Sequence, residues 1–202
     1  MVRIKICGIC DRSAADAAAE AGADLIGFHF CPSVRRVTPE EARAIVEAID
    51  VLPVLVGVFI DQDPDEVRQV ADFVGLDMVQ LHGSEAPGFV AGRPVIKVLK
   101  VKDGAIPDAR PWPDPIMLDS WSASQRGGTG RTWEWDAARS LIAARRVFIA
   151  GGLEPGNVGT VVNRFKPYGV DVSSGVESAV RVKDPDKIRA FVRAVRAAEM
   201  AG

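Results

Sequence analysis

The chain has 202 residues, of which 48 % are hydrophobic and 26 % charged, with a formal net charge of −2. Those are ordinary values for a globular chain, the length does not demand two domains, and no basic run favours a nucleic-acid partner. The longest apolar run, Val51 to Ile60, is too short for a bilayer and is broken by Pro53 and Gly57, and no signal-peptide pattern opens the chain, so no membrane partner and a cytoplasmic enzyme or binding protein are expected.

Arg3 to Cys7 alternates, with Ile4 and Ile6 on one side and Arg3, Lys5 and Cys7 on the other. Period two reads as a strand with one apolar face, and Gly8 allows a tight exit. Cys7 therefore stands at the C-terminal lip of the first strand, on the face without apolar cover. Cys7 and Cys10 form a Cys-x-x-Cys, but no second pair completes a structural zinc site, and a redox role stays open beside a packing one. Three cysteines make no disulfide framework.

Asp11, Arg12 and Ser13 cap an Ala-rich helix that Gly22 stops. Asp24 to Phe30 is the second strand. If its phenylalanines face the helices, His29 points inward, where a satisfied core histidine is the expected reading. Cys31 to Arg36 is a loop. Thr38, Pro39 and Glu41 open a second helix with a capping box, running to about Ile49. Val54 to Ile60 is the third strand, and Asp63 and Pro64 open a helix that ends near Gly75. Asp77 to Leu81 is the fourth strand, Ser84 to Val90 a short helix and Pro94 to Lys100 the fifth strand. Lys102 to Pro113, with three prolines, predicts a degenerate crossover. Ile116 to Asp119 is the sixth strand, followed by a Gly/Ser-rich loop to Thr132 and a helix over Asp136 to Ala144. Val147 to Ala150, a helix over Pro155 to Phe165, Val170 to Val172 and a closing helix over Asp184 to Ala198 complete the chain.

Eight strands alternating with about eight crossovers predict an α/β fold, a closed parallel (β/α)₈ TIM barrel of one domain over residues 1–202. A doubly wound open sheet is the alternative, but its Gly-x-Gly-x-x-Gly fingerprint is missing.

In such a barrel the active site lies at the C-terminal ends of the strands. Cys7 ends strand one; Cys31, Arg35 and Arg36 follow strand two; Gln80 and His82 end strand four; Asp119 ends strand six, before Gly127 and Gly128. Gly151 and Gly152 follow strand seven, and Asp171, Ser173, Ser174 and Gly175 end strand eight. Bare N–H groups after strands seven and eight form an anion cradle, although each glycine alone could serve a tight turn. Cys7 and Asp119 can act as base and acid in a proton-shuffling isomerisation, or as a small buried hydrophobe and a loop carboxylate. Arg36 could clamp a carboxylate, or pair with Glu40. His82 is a better site candidate than His29, and Trp133 and Trp135 read as packing. No His/Asp/Glu cluster has metal-ligand spacing.

In this order the motifs resemble the phosphoribosylanthranilate isomerase family of tryptophan biosynthesis. They are Lys5-Ile6-Cys7-Gly8, Gly22 to Phe28, Val56 to Phe59, Val79-Gln80-Leu81-His82-Gly83, Leu118-Asp119-Ser120, Gly127 to Gly130, Ala150 to Leu153, Asn157-Val158, Val170 to Glu177 and Lys183-Asp184 opening the last helix. The resemblance spans the whole chain. It implies a cofactor-free Amadori rearrangement of N-(5-phosphoribosyl)anthranilate to 1-(2-carboxyphenylamino)-1-deoxyribulose 5-phosphate. It assigns Asp119 as the acid on the ring oxygen, Cys7 as the base on C2′, Arg36 to the anthranilate carboxylate and the two Gly/Ser loops to the phosphate. Cys10, His29 and Cys31 depart from the family pattern, and a disulfide from Cys7 to Cys10 or Cys31 would silence the base.

Rival readings remain. The histidine-pathway isomerase with the same chemistry uses a carboxylate at the strand-one position, so Cys7 argues against it and against a bifunctional barrel. Indole-glycerol-phosphate synthase would want strand-end lysines, of which Lys97 and Lys100 are the hints. A phosphate-sugar binder would not need both Cys7 and Asp119. A monomer is expected, since no exposed apolar helix face stands out.

Overall fold

The computed structural model describes residues 1–102, 104–120 and 135–201. Gly127, Gly128 and Trp133, and the side chain of Trp135, lie outside the described residues. Eight strands close into one parallel barrel: β1 (Arg3–Cys7), β2 (Leu25–His29), β3 (Val54–Phe59), β4 (Met78–Leu81), β5 (Val95–Val101), β6 (Ile116–Ser120), β7 (Val147–Ala150) and β8 (Gly169–Val172). Each pairs with its sequence neighbours, and β1 pairs with β8 from Arg3 opposite Gly169 to Ile6 opposite Val172. This is the expected (β/α)₈ barrel, and no helix among the described residues is long and apolar enough to cross a membrane.

The helices start where their caps dictate. Asp11 accepts from Ala14 N–H at 2.8 Å to open α1 (Arg12–Ala21). Thr38 and Glu41 form the expected reciprocal capping box of α2 (Pro39–Glu47). Asp63 and Pro64 open α3 (Pro64–Val74), and Gly22 and Gly75 close α1 and α3 in the left-handed conformation. Such N-caps contribute about 1 kcal/mol each. The short α4 (Arg139–Ala144) follows a 3₁₀ turn over Trp135–Ala138, and α5 (Val158–Phe165) starts three residues later than its sequence suggests. The long α6 (Pro185–Ala201) buries Ile188, Phe191, Val192, Val195 and Ala198.

Two elements differ from expectation. Ser84 to Val90 forms no helix. Gly88 has a positive φ of 92°, and the Glu85 carboxylate accepts from Asp61 N–H at 3.0 Å and from Lys97 Nζ at 2.6 Å. Those long-range bonds outweigh the small gain of one helical turn. After β8, a 3₁₀ turn (Ser174–Val176) leads into an unforeseen hairpin of β9 (Glu177–Ala179) and β10 (Val182–Lys183). The described residues of the crossover from Lys102 to Pro113 carry no helix, as its prolines predict.

Strand alternation divides the core in two. Ile4, Ile6, Phe28 and Phe30 pack outward against the helices. Leu25, Val56, Ile96, Val98, Met117, Phe148 and Ala150 fill the barrel. On β1 the pattern is inverted in polarity: the inward face carries Lys5, fully buried, and Cys7, 4 % exposed. A buried lysine is tolerated only with a partner, and Asp171 on β8 meets Lys5 Nζ at 2.7 Å.

Candidate active site

A cavity of about 180 Å³ opens at the C-terminal mouth of the barrel. Cys7, Gln80, His82 and Asp119 line one part of it. Gly151, Gly152, Asp171, Ser173 and Ser174 line the rest. The structure thus brings together most of the residues that the strand ends nominated. Arg36 is exposed on the loop after β2 and is outside this lining, which takes Arg35 instead.

Cys7 sits among charges. Lys5 Nζ and Cys7 Sγ both crowd Gly27 on β2, where an added Cβ would stand 3.0 Å from each. Gly27 thus makes room for an ammonium beside a thiol. Burial pushes the Cys7 thiol up from its usual range, opposed by Lys5 and Lys183 and reinforced by Asp171. Burial thus disfavours the thiolate, which is a strong base once formed. Cys7, Cys10 and Cys31 are all free thiols, and Cys10 donates weakly to Gly8 O and Arg35 O, each at 3.5 Å.

On the other side, His82 Nε2 lies 3.5 Å from Asp119 Oδ2. Gln80 is 2 % exposed, and its Oε1 has no hydrogen-bond partner among the described residues. An unpaired buried amide oxygen costs free energy unless a ligand supplies a donor. Lys97 does not reach the cavity. It alternates with the inward Ile96 and Val98, and donates to Gly83 O at 2.7 Å and Glu85 at 2.6 Å. Lys100 is exposed. That removes the observation favouring a lysine-dependent lyase.

The strand-seven and strand-eight loops are held as a unit. Gly151 and Gly152 adopt φ of 88° and 67°, which side chains other than glycine rarely take. Asn157 donates from Nδ2 to Gly152 O at 2.8 Å and accepts from Glu154 N–H at 2.9 Å. A Cβ on Gly175 would collide with the carbonyl of Leu153, so this glycine lets the two loops touch without itself lining the cavity. Below them, Lys183 Nζ donates to Ser173 O at 2.9 Å and to Glu177 at 3.0 Å. Glu177 also receives a bidentate pair from Arg35, at 2.6 and 2.7 Å. This ties the loop after β2 to the loop after β8 and leaves cationic Lys183 behind Ser173. Arg35 was named on the loop after strand two without a role, and Lys5, Glu177 and Lys183 were not nominated by strand-end reading. The inward register of Lys5, two residues before Cys7, signalled that residue, and Glu177 and Lys183 entered only within the motifs that carry the family resemblance.

His29, read from sequence as a core histidine, lines the cavity, with Nε2 3.3 Å from Cys7 Sγ and Nδ1 3.0 Å from Ser33 Oγ. Burial, with the Lys5 charge, holds it neutral down to about 4. The unfolded chain takes up that proton near pH 6.5. Stability is therefore fully present above that value and falls as acid is added, by up to about 3 kcal/mol at pH 4. Urea unfolding between pH 7 and 4 checks this: His29→Phe gains on wild type by up to that amount as the pH drops, whereas parallel curves would refute the assignment.

A closed parallel eight-stranded barrel, with its polar cavity at the strand C-termini, places the chain in the class of (β/α)₈-barrel enzymes. The family described as N-(5′-phosphoribosyl)anthranilate (PRA) isomerase matches residues 4–194. An N-(5′-phosphoribosyl)anthranilate isomerase from Pelobacter propionicus is 46 % identical over 198 residues, covering 96 % of this chain and 95 % of the relative. The structure of phosphoribosyl anthranilate isomerase from Thermus thermophilus superposes with a TM-score of 0.86 at 39 % identity, covering 97 % of this chain and 99 % of that one. Another solved isomerase of this name, in complex with reduced 1-(o-carboxyphenylamino)-1-deoxyribulose 5-phosphate, has a TM-score of 0.83 at 34 % identity, covering 98 % of this chain and all of that one. The chain belongs to the N-(5′-phosphoribosyl)anthranilate isomerase family, isomerases of tryptophan biosynthesis.

Proposed function

We propose that the chain converts N-(5-phosphoribosyl)anthranilate to 1-(2-carboxyphenylamino)-1-deoxyribulose 5-phosphate, with Asp119 as general acid and Cys7 as general base. The observation that carries this reading is that a carboxylate on β6 and a thiol on β1 face one cavity, closed on a third side by the Gly/Ser loops after β7 and β8. Asp119 protonates the ring oxygen, the C1′–O bond breaks, and a protonated Schiff base forms. The Cys7 thiolate then removes the C2′ proton, giving an enolamine that tautomerises to the ketone.

The remaining groups hold the two ends of the substrate. The phosphate sits on the N–H groups around Gly151, Gly152, Ser173, Ser174 and Gly175, with Lys183 adding positive charge from below. Gln80 Oε1, His82 and Asp171 meet the polar atoms of the sugar. Arg36 receives the anthranilate carboxylate, and Gly127 and Gly128 extend the phosphate loops by resemblance alone. Pinning both ends aligns the ring oxygen and C2′ with acid and base. Acid and base contributions are each worth roughly 10²–10⁴ in rate. A monomer as the catalytic unit and a cytoplasmic location belong to the same reading. The fluorescence of freshly prepared substrate, followed on mixing with the protein, tests the reading. Loss at a rate proportional to protein concentration is expected; a constant signal with saturable binding of the phosphate ester would make it a binder.

A further inference from the structure

We propose that His29 is a positioning residue for Cys7, holding its thiolate through an Nε2–H···Sγ hydrogen bond whose tautomer is fixed by Ser33. The inference rests on reading Cys7 as the base. It begins from a chain of contacts that strand alternation alone does not require. Cys7 Sγ lies 3.3 Å from His29 Nε2, and His29 Nδ1 lies 3.0 Å from Ser33 Oγ. Ser33 Oγ also accepts from the Arg35 N–H at 3.1 Å.

We assign the ring proton from the Ser33 hydroxyl. A serine hydroxyl has one hydrogen to donate. With Arg35 N–H already directed at the oxygen, that hydrogen is free to point at His29 Nδ1. Nδ1 is then the acceptor, and a neutral imidazole must carry its proton on Nε2, aimed at sulfur. The surroundings keep the ring neutral. Burial opposes a second proton most, and Lys5 on β1, Arg35 on the loop after β2 and Lys183 on β10 add to it, against Asp171 on β8.

The consequence falls on the thiol. Cys7 is buried against Cys31 and Val58, and burial disfavours its anion. Lys5 supplies one compensating charge, already shared with Asp171 at 2.7 Å. His29 supplies a second donor that carries no charge of its own and is not shared with a carboxylate. It also fixes Sγ in direction, so that the lone pair not engaged by imidazole faces the cavity. A hydrogen bond to a charged sulfur is stronger than one to a neutral thiol, so the contact favours ionisation.

The test uses the Cys10→Ser/Cys31→Ser protein, so that iodoacetamide reports on Cys7 alone. The pH midpoint of the alkylation rate is measured in this background, then with His29→Phe and with His29→Gln, whose amide N–H can stand near the Nε2 position. The expected result is a midpoint raised by about one unit in His29→Phe, a tenfold loss of thiolate at a fixed lower pH, with at least half of it recovered in His29→Gln. Ser33→Ala, which frees the tautomer, is expected to fall between wild type and His29→Phe. An unchanged or lower midpoint in His29→Phe, or equal shifts for Phe and Gln, would overturn the proposal and leave His29 a packing residue. Alkylation needs no substrate, so this outcome is independent of whether the chain turns over phosphoribosylanthranilate.

Discussion

Asp119→Asn is expected to lower kcat by about 10²–10⁴ while KM and fold stability stay near wild type. The carboxamide keeps the shape of the carboxylate at the end of β6 and keeps polar atoms opposite His82, now 3.5 Å from Asp119 Oδ2. What it loses is the acidic proton that the ring oxygen needs as its C1′ bond breaks. Asp119 is partly exposed in the cavity, so the exchange leaves no buried charge unpaired. An effect confined to kcat therefore marks a group that acts in the transition state. Steady-state fluorescence, with urea midpoints alongside, separates the cases. Near-full turnover in Asp119→Asn would remove it as the acid.

The second large effect is on stability. Lys5 Nζ meets Asp171 at 2.7 Å, with the lysine side chain fully buried and the aspartate 11 % exposed. Burial pulls the Lys5 ammonium down, but Asp171 and the neighbouring thiol outweigh it and hold it charged far into the alkaline range. The pair thus contributes throughout neutral pH, and its stabilisation is lost only as pH rises through that elevated value. Asp171→Ala leaves an uncompensated ammonium inside the barrel, at a cost of about 3–5 kcal/mol. Lys5→Met combined with Asp171→Leu removes both charges and is expected to recover most of that loss, because the penalty belongs to the unpaired ion. Chemical denaturation of the single and double variants checks this; a single variant as stable as wild type would mean water or a counter-ion already reaches Lys5. Cys7 loses a stabilising cation in the double variant, so activity is expected to stay low even where stability returns.

The barrel was legible because local rules and global fold agree in it. Asp11, Thr38 with Glu41, and Asp63 mark helix starts through bonds that span two or three residues. The alternation of Ile4 and Ile6 with Lys5 and Cys7 fixed which face of β1 turns inward. Cys7 and Asp119 were found because the fold puts strand ends at the site. Features set by distant partners were not legible. Glu85 gives up a helical turn to reach Lys97, twelve positions on. The β9–β10 hairpin is anchored by Glu177 to Arg35, 142 positions away. A lysine inside the barrel makes sense only with Asp171, 166 positions distant. His29 was placed inward by its neighbours Phe28 and Phe30, but its contact with Cys7 depends on the pairing of β1 with β2, Cys7 opposite Gly27.

That Cys7 takes the C2′ proton is the central claim, and the single-turnover rate of Cys7→Ser tests it most directly. Excess enzyme is mixed with fresh substrate and the fluorescence followed through one conversion, so product release does not enter. A serine hydroxyl fits the same space but ionises far less readily than a thiol, and the rate is predicted to fall by at least roughly 10². A Cys7→Ser protein that converts its substrate at close to the wild-type rate would contradict the account.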